Sequence, residues 1–469
     1  MVGCVPKLQP GAVREADARL PASYGLEDHD DSESTLPWRQ DLFSDPHLKT
    51  LVDEALRNNQ ELLILGQRVQ IANAHLIARR GAYLPRLRLM AGGGVEKVGR
   101  YTSQGASDHD DEIEPGRETP EALGDIHAML QASWEVDIWG ELRRKKRAAQ
   151  MRYLASVEGR NFVVTQLVAE VAESYYELMA LDRKLAVVEQ NIDVLEETLE
   201  VVRLEREAGR ETSLAVQLFE AHVLANEAER YELHQEIVEA ENRLNLLCGR
   251  YPQHIDRSSD AFYAQQPVIS AAGLPTQLLE NRPDVRAAEL TLAAAKLDVG
   301  AARAAFYPSL ALDGNLGEEA FAVAKLGALP ESILYDVFGS LTAPLFNRSE
   351  LRAEYLAANA EQMEAVLEYE RTVLKAYIEV VNQATRIGNL NESYDRRSRQ
   401  VELLETAIDT STVLFNSAHA EYLEVLTARS EALEAEMALV DTRRDQLMAR
   451  VALYRALGGG WEEPDATTP

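Results

Sequence analysis

Cysteine is nearly missing from this chain of 469 residues, which has two, Cys4 and Cys248. Two thiols cannot build a zinc cluster or a disulfide framework. Aromatic residues are also scarce at 6%, while apolar residues reach 46%, so the interior has to be made mostly of Ala, Leu and Val, as in long packed helices. No apolar run reaches the length of a transmembrane helix, and a membrane role would fall to strands. Positive charge is short as well: 48 Lys and Arg stand against 77 Asp and Glu, a net charge of −29. Such a surface repels a phosphate backbone and excludes nucleic acid as a partner. The nine histidines show no ligand spacing, and no nucleophile–base pair stands out. Gly92-Gly93-Gly94 lies in a strand-like segment without a following helix, so it is not a phosphate cradle. No enzyme chemistry, cofactor or metal is expected.

What is present is a duplication. Leu56, Asn58, Leu62, Ala72, Ala78 and Pro85 fall on Leu279, Asn281, Val285, Ala295, Ala301 and Pro308 at one constant shift. The stretch from Gly209 to Gly249 falls without gaps on Ala418 to Gly458, pairing Leu214 with Leu423 and Val216 with Val425. Ser133 to Trp139 falls on Ser340 to Phe346. Each half therefore reads helix, strand, strand, long helix, long helix.

The long helices carry heptad seams. Leu178, Leu181, Leu185, Val188, Ile192, Leu195, Leu199 and Val202 step by three and four, as do Leu423, Leu426, Ser430, Leu433, Met437 and Val440. The helical pattern from about Gly140 to Ala208 holds no proline and extends on the order of 100 Å at the usual rise. The strands alternate strictly. Ile126, Ala128, Leu130, Ala132, Trp134, Val136 and Ile138 make one face, and His127, Met129, Gln131, Ser133, Glu135, Asp137 and Trp139 the other. That length suits a strand tilted across a bilayer. Arg86 to about Glu96 is its partner, joined through an acidic segment, Gly99 to Gly124, expected as an exposed loop. The second half repeats the scheme with Leu310, Leu312, Gly314 and Leu316, and a returning strand from Val337 to Leu345. The cluster Asp108 to Glu114 lacks the spacing of a calcium loop. The basic run Arg143 to Arg147 either faces acidic groups at the inner side of a membrane or is a solvated helix start.

Four strands cannot close a barrel, and lipid tolerates no open sheet edge. Copies must combine, and three give about twelve strands, within the range of membrane barrels.

Ser133-Trp134-Glu135-Val136-Asp137-Ile138-Trp139-Gly140, Arg282-Pro283-Asp284-Val285-Arg286-Ala287-Ala288-Glu289, Tyr422-Leu423-Glu424-Val425-Leu426 and Leu453 to Trp461 resemble the signature segments of the TolC-like outer-membrane efflux proteins, in particular the lipoprotein branch serving resistance-nodulation-division pumps. The resemblance implies a mainly α protein with a small membrane β-barrel: a homotrimer with a twelve-stranded barrel, a long coiled-coil tunnel and a small belt. It implies an exit channel in the outer membrane of a Gram-negative bacterium, passively conducting drugs or other small molecules from a periplasmic adaptor and an inner-membrane transporter. On this reading 1–45 is an N-terminal lipoprotein segment and belt, 46–249 the first repeat, 250–273 an inter-repeat belt segment, 274–458 the second repeat and 459–469 a tail. Gly3-Cys4 looks like the end of a lipoprotein cleavage site, either because a leader has been trimmed or by chance, and the resemblance implies a lipidated Cys4.

By position, Glu424 inherits a carboxylate of the family's periplasmic gate, while Thr427 stands at a second place that is commonly acidic. Three converging carboxylates would favour cations. The tips that meet the adaptor correspond to Gly209 and Leu214 in the first half and Ala418 and Leu423 in the second, with Ala418 where a turn glycine is usual. Some relatives latch the closed gate with a Tyr, an Asp and an Arg. The matching places here are Phe415, Ala215 and Ala420, so the channel is expected either to stay shut by apolar packing around Phe415 and Leu426 together with Glu424, or to rest partly open. Asn347 stands where the family has glycines after the fourth strand. The competing reading is a soluble coiled-coil scaffold or periplasmic adaptor, which would need lipoyl-like and small β-barrel segments that the sequence does not display.

Overall fold

The computed structural model describes residues 14–17, 19–21, 23–24, 42–265, 267, 274–346, 348–417 and 422–461. Cys4, Asn347, Ala418 and Ala420 lie outside the described residues. In chain order the main elements are α1 (Pro46–Asn58), α2 (Gln60–Ala82), β1 (Arg86–Glu96), α3 (Ser103–Asp110), β2 (Glu112–Glu114), β3 (Arg117–Glu118), β4 (Leu123–Val136), α4 (Glu141–Glu207) and α5 (Ser213–Leu247), followed by α6 (Leu278–Asn281), α7 (Pro283–Ala304), β5 (Ser309–Ala320), β6 (Ile333–Thr342), α8 (Ser349–Asn416) and α9 (Tyr422–Ala456). Among the described residues no helix is long and apolar enough to cross a membrane. The chain falls into two compact units, each drawn from separate stretches.

The first unit comprises Met1–Glu15, Ile71–Tyr153 and Leu290–Val366. It holds a four-stranded antiparallel sheet in the order β1-β4-β5-β6. The segment expected as a plain loop contains α3 and the β2–β3 ribbon. The helix forms because the Thr102 hydroxyl accepts from the Gly105 amide at 3.2 Å and caps its start. The strand predicted to run to Trp139 stops at Val136, because Asp137 turns to cap α4. The last strand begins at Ile333 rather than Val337 and ends at Thr342, short of Pro344, which has no amide for a ladder.

The second unit comprises Ala16–Gln70, Leu154–Glu289 and Leu367–Pro469. Its core is the heptad seam: Leu178, Leu181, Val188 and Ile192 are buried with Leu233, Ile237, Leu244, Val440, Leu447 and Val451, and Leu433 and Met437 pack against them. Each fully buried side chain of this kind contributes about 1.5–3 kcal/mol. Tyr175 donates to the buried Asp45 carboxylate at 2.7 Å, an oxygen the Gln265 amide also reaches, at 3.3 Å. Burial raises the Tyr175 pKa, and the bond to Asp45 adds to the effect.

The duplication is visible in atomic detail here. Gly249 and Gly458 both adopt positive φ, 68° and 88°. A Cβ at Gly249 would lie 2.4 Å from the Asn58 carbonyl oxygen, and one at Gly458 would lie 2.5 Å from that of Asn281. Glycine is required at both places, since only it tolerates the left-handed turn and the approach of a backbone. Nearby, the Asn59 amide donates to Leu247 O at 3.0 Å, and at the equivalent position the Arg282 guanidinium donates to Ala456 O at 2.9 Å.

Candidate functional site

The sheet has one apolar face and one wet face. Leu89, Leu130, Leu316 and Tyr335 stand in one row across all four strands, and Leu87, Ala132, Gly314 and Val337 in the next. On the opposite side the rows read Arg88, Gln131, Asn315, Asp336 and Arg86, Ser133, Asp313, Phe338. Within the wet face the Asn315 amide donates to the Asp336 carboxylate at 3.0 and 3.1 Å. The apolar side is left open: Leu89 is 78% exposed and Val337 84%. A soluble sheet covers such a face with helices, whereas hydrocarbon is its natural solvent. Glu318 is the acidic residue on this side; it sits in the row of Ile333 and accepts from the Gly327 amide at 3.0 Å, which draws its charge to the loop end.

The other end of the sheet carries an aromatic and basic rim. Trp134 donates to Tyr83 O at 3.3 Å and Trp139 to Pro308 O at 2.9 Å. Trp139 also stacks on Tyr307 with ring centroids 4.8 Å apart, and Lys146 lies over the Tyr83 ring. Amphipathic rings of this kind settle at the headgroup level of a bilayer. Arg143 pairs with Asp137 at 3.0 Å, Arg144 donates to Trp139 O at 2.7 Å and Lys145 pairs with Glu141 at 2.6 Å. Most of the basic run is thus tied into the start of α4, where Asp137 also accepts the amides of Leu142 and Arg143 at 3.0 Å each. Gly140, at φ 74°, makes the turn.

At the far end of α4 the first tip turns at Gly209, also at φ 74°. The Gly209 amide donates to Arg206 O and the Arg210 amide to Glu205 O, the paired bonds of a glycine-stopped helix. Thr212 then caps α5 through the Ala215 amide at 3.2 Å. Leu195, Leu199, Val202, Val216, Phe219 and Val223 form an apolar cluster that takes in Ala215 and Leu426, with Tyr422 packed against it. Leu426 is 4% exposed and Ala215 is fully buried. Glu424 and Thr427 are exposed, the Thr427 hydroxyl donating to Leu423 O at 2.8 Å. Leu214 and Leu423 are exposed apolar residues, and Phe415 is half-buried. The tip therefore separates into an interior apolar cluster containing Leu426 and an exterior set of Leu214, Leu423, Glu424 and Thr427.

The heptad pattern gave no sign of two further residues. Arg282, 3% exposed, is held by Asp284 at 2.7 Å and Glu379 at 2.8 Å, and its motif Arg-Pro-Asp was the available signal. Arg429 on α9 has a buried Nε without a hydrogen-bond partner among the described residues. Burial lowers its pKa, with Asp409 opposing. Cys248 is fully buried, and burial pushes its thiol up to about 11, Glu54 adding and Arg250 opposing. It is a packed residue and not a nucleophile.

A duplicated helical chain that presents an open, lipid-facing sheet with a wet reverse side is a membrane channel protein, not a soluble scaffold. It belongs to the outer membrane efflux protein family, whose profile matches residues 51–250 and 274–459. The chain is 31% identical over 420 residues to the pyoverdine export outer membrane protein OpmQ of Pseudomonas aeruginosa, covering 90% of this chain and 86% of that one. It is 27% identical over 468 residues to the cation efflux system protein CusC of Escherichia coli, covering 99% and 97%. The structure of the outer-membrane channel OprN superposes with a TM-score of 0.83 at 26% identity, covering 98% of this chain and 99% of that one. The chain is an outer-membrane efflux channel component of a Gram-negative bacterium, which the apolar sheet face explains.

Proposed function

We propose that three copies of this chain close a twelve-stranded barrel in the outer membrane and conduct small molecules passively outward, fed by a periplasmic adaptor and an inner-membrane transporter of the resistance-nodulation-division type. The observation that carries the reading is the open four-stranded sheet, apolar on one side and wet on the other, with unpaired edges at β1 and β6. Such a sheet is stable in lipid only when its edges are joined, and four strands per copy need company to reach a conducting diameter. Cys4 carries the lipid anchor in this proposal. The exposed Gly209, Leu214 and Leu423 at the tips, with Ala418, meet the adaptor. Glu424 lines the periplasmic gate beside Thr427, and three such carboxylates select for cations. The polar latch of some relatives is replaced by packing: the place of its Asp is Ala215, buried in the tip cluster with Leu426, and the place of its Tyr is Phe415.

The test is detergent extraction followed by electrophoresis without boiling. A trimer that dissociates on heating, and that forms ion-conducting pores in planar bilayers, supports the reading. A monomer that stays in buffer without detergent overturns it.

A further inference from the structure

The two edges of the sheet are unlike each other, and each carries an oddity on the wet face. On β1, Gly92 and Gly94 leave that face without side chains. No atom lies within 4 Å of where a Cβ of Gly94 would sit, and at Gly92 the space is taken by the His127 imidazole, whose Nε2 would be 2.6 Å from a Cβ. On β6, Phe338 is 69% exposed among Asp313, Asp336 and Ser340. Phe338 thus offers its ring on the wet face of the open edge strand β6.

The stagger of the strands says what covers it. The midpoint of β1 is Ala91. Through the ladder, the midpoint of β4 is level with the gap between Leu89 and Met90, that of β5 with the gap between Leu87 and Arg88, and that of β6 with the gap between Arg86 and Leu87. The slip averages about one and a half residues per strand, a slant of about 45° for a rise of 3.3 Å and a spacing of 4.8 Å. That is about the tilt of closed membrane barrels, so the same step carries the sheet into the next copy. One further step sets Ala91 of the neighbouring copy beside Gly339. The antiparallel pairing then places Phe338 opposite the neighbour's Gly92, and Asp336 opposite its Gly94. Face parity agrees, since all four positions lie on the wet side.

We infer that the seam between copies is an aromatic–glycine lock, in which Phe338 of one copy lies over Gly92 of the next and packs against that copy's His127 ring. Aromatic rings laid across strand glycines restore the packing that glycine gives up, and they fix register. This rests on the barrel of three copies proposed above, and the test separates the two.

Paired cysteines report the register through a disulfide, which forms only at matched Cα positions. Gly94→Cys with Asp336→Cys is expected to give covalently linked dimers and trimers on non-reducing gels. Gly94→Cys with Phe338→Cys, and Gly94→Cys with Leu334→Cys, are two residues out of step and are expected to give little. Trimers that link best through either displaced pair, or through none, overturn the lock and leave the channel standing; failure of the native chain to form trimers overturns both. Phe338→Ala is expected to lower the temperature at which trimers dissociate in detergent, and Phe338→Tyr to keep it. Equal dissociation temperatures for Phe338→Ala and the native chain also overturn the lock.

Discussion

Four glycines separate backbone strain from steric contact. Gly388 lies within α8 with no atom within 4 Å of where a Cβ would sit, and it has no positive φ. Alanine there is expected to be neutral or stabilising by about 0.5–1 kcal/mol, because glycine loses more freedom in a helix. Gly209 has φ 74° with open space around it, so alanine incurs only the left-handed conformation, about 1–2 kcal/mol. At Gly249 and Gly458 the same strain is joined by a Cβ 2.4 or 2.5 Å from a carbonyl oxygen. A backbone cannot swing aside as a side chain does, and overpacking adds about 1–3 kcal/mol. Loss of helical circular dichroism on heating, in one detergent and at one scan rate because unfolding is irreversible for such proteins, ranks the variants. The expected order of falling stability is Gly388→Ala, native, Gly209→Ala, then Gly249→Ala and Gly458→Ala together. If Gly458→Ala melts with Gly209→Ala, the carbonyl contact contributes nothing and the reasoning fails.

Leu426→Ala removes a buried side chain from the tip cluster at about 2–5 kcal/mol, and single-channel recordings are expected to show more frequent opening; Leu423→Ala, at an exposed position, is expected to behave as native, and equal behaviour of the two would remove the apolar lock. Glu424→Gln is expected to lower the preference for cations, read as a shift of reversal potential in a salt gradient, and an unshifted potential would move the gate away from this residue. Cys248, with its thiol raised to about 11 by burial, is expected to resist maleimide at pH 8 until the chain is denatured; labelling of the folded protein would show the site to be open.

Much of the architecture was legible because it is periodic. Heptads and two-residue alternation name their own elements, and the repeat set Gly249 against Gly458 in one block and Asn58 against Asn281 in another; that each glycine lies against the carbonyl of its asparagine came from the structure. The end of β4 was not legible, since Asp137 continues the alternation by type but leaves the strand to cap α4. The same holds for the α3 helix, hidden in a polar segment whose start depends on one threonine cap. At the tip, sequence placed Leu426 and Leu423 on one seam. The structure buries the first and exposes the second, because the cluster ends within a turn of the start of α9. The buried charge of Arg282 was marked only by its Arg-Pro-Asp motif, and its pairing with Glu379, from the distant helix α8, is invisible to periodicity.

The paired contacts Asn59 with Leu247 O and Arg282 with Ala456 O carry one more implication. The two halves make this corner with different chemistry, a neutral amide in the first and a cation with its own counter-ions in the second. In an assembly of three chains the six corners would be of two chemistries, three of each. The charged corner depends on its counter-ions and the neutral one does not, so the two halves of one duplicated joint would fail for different reasons.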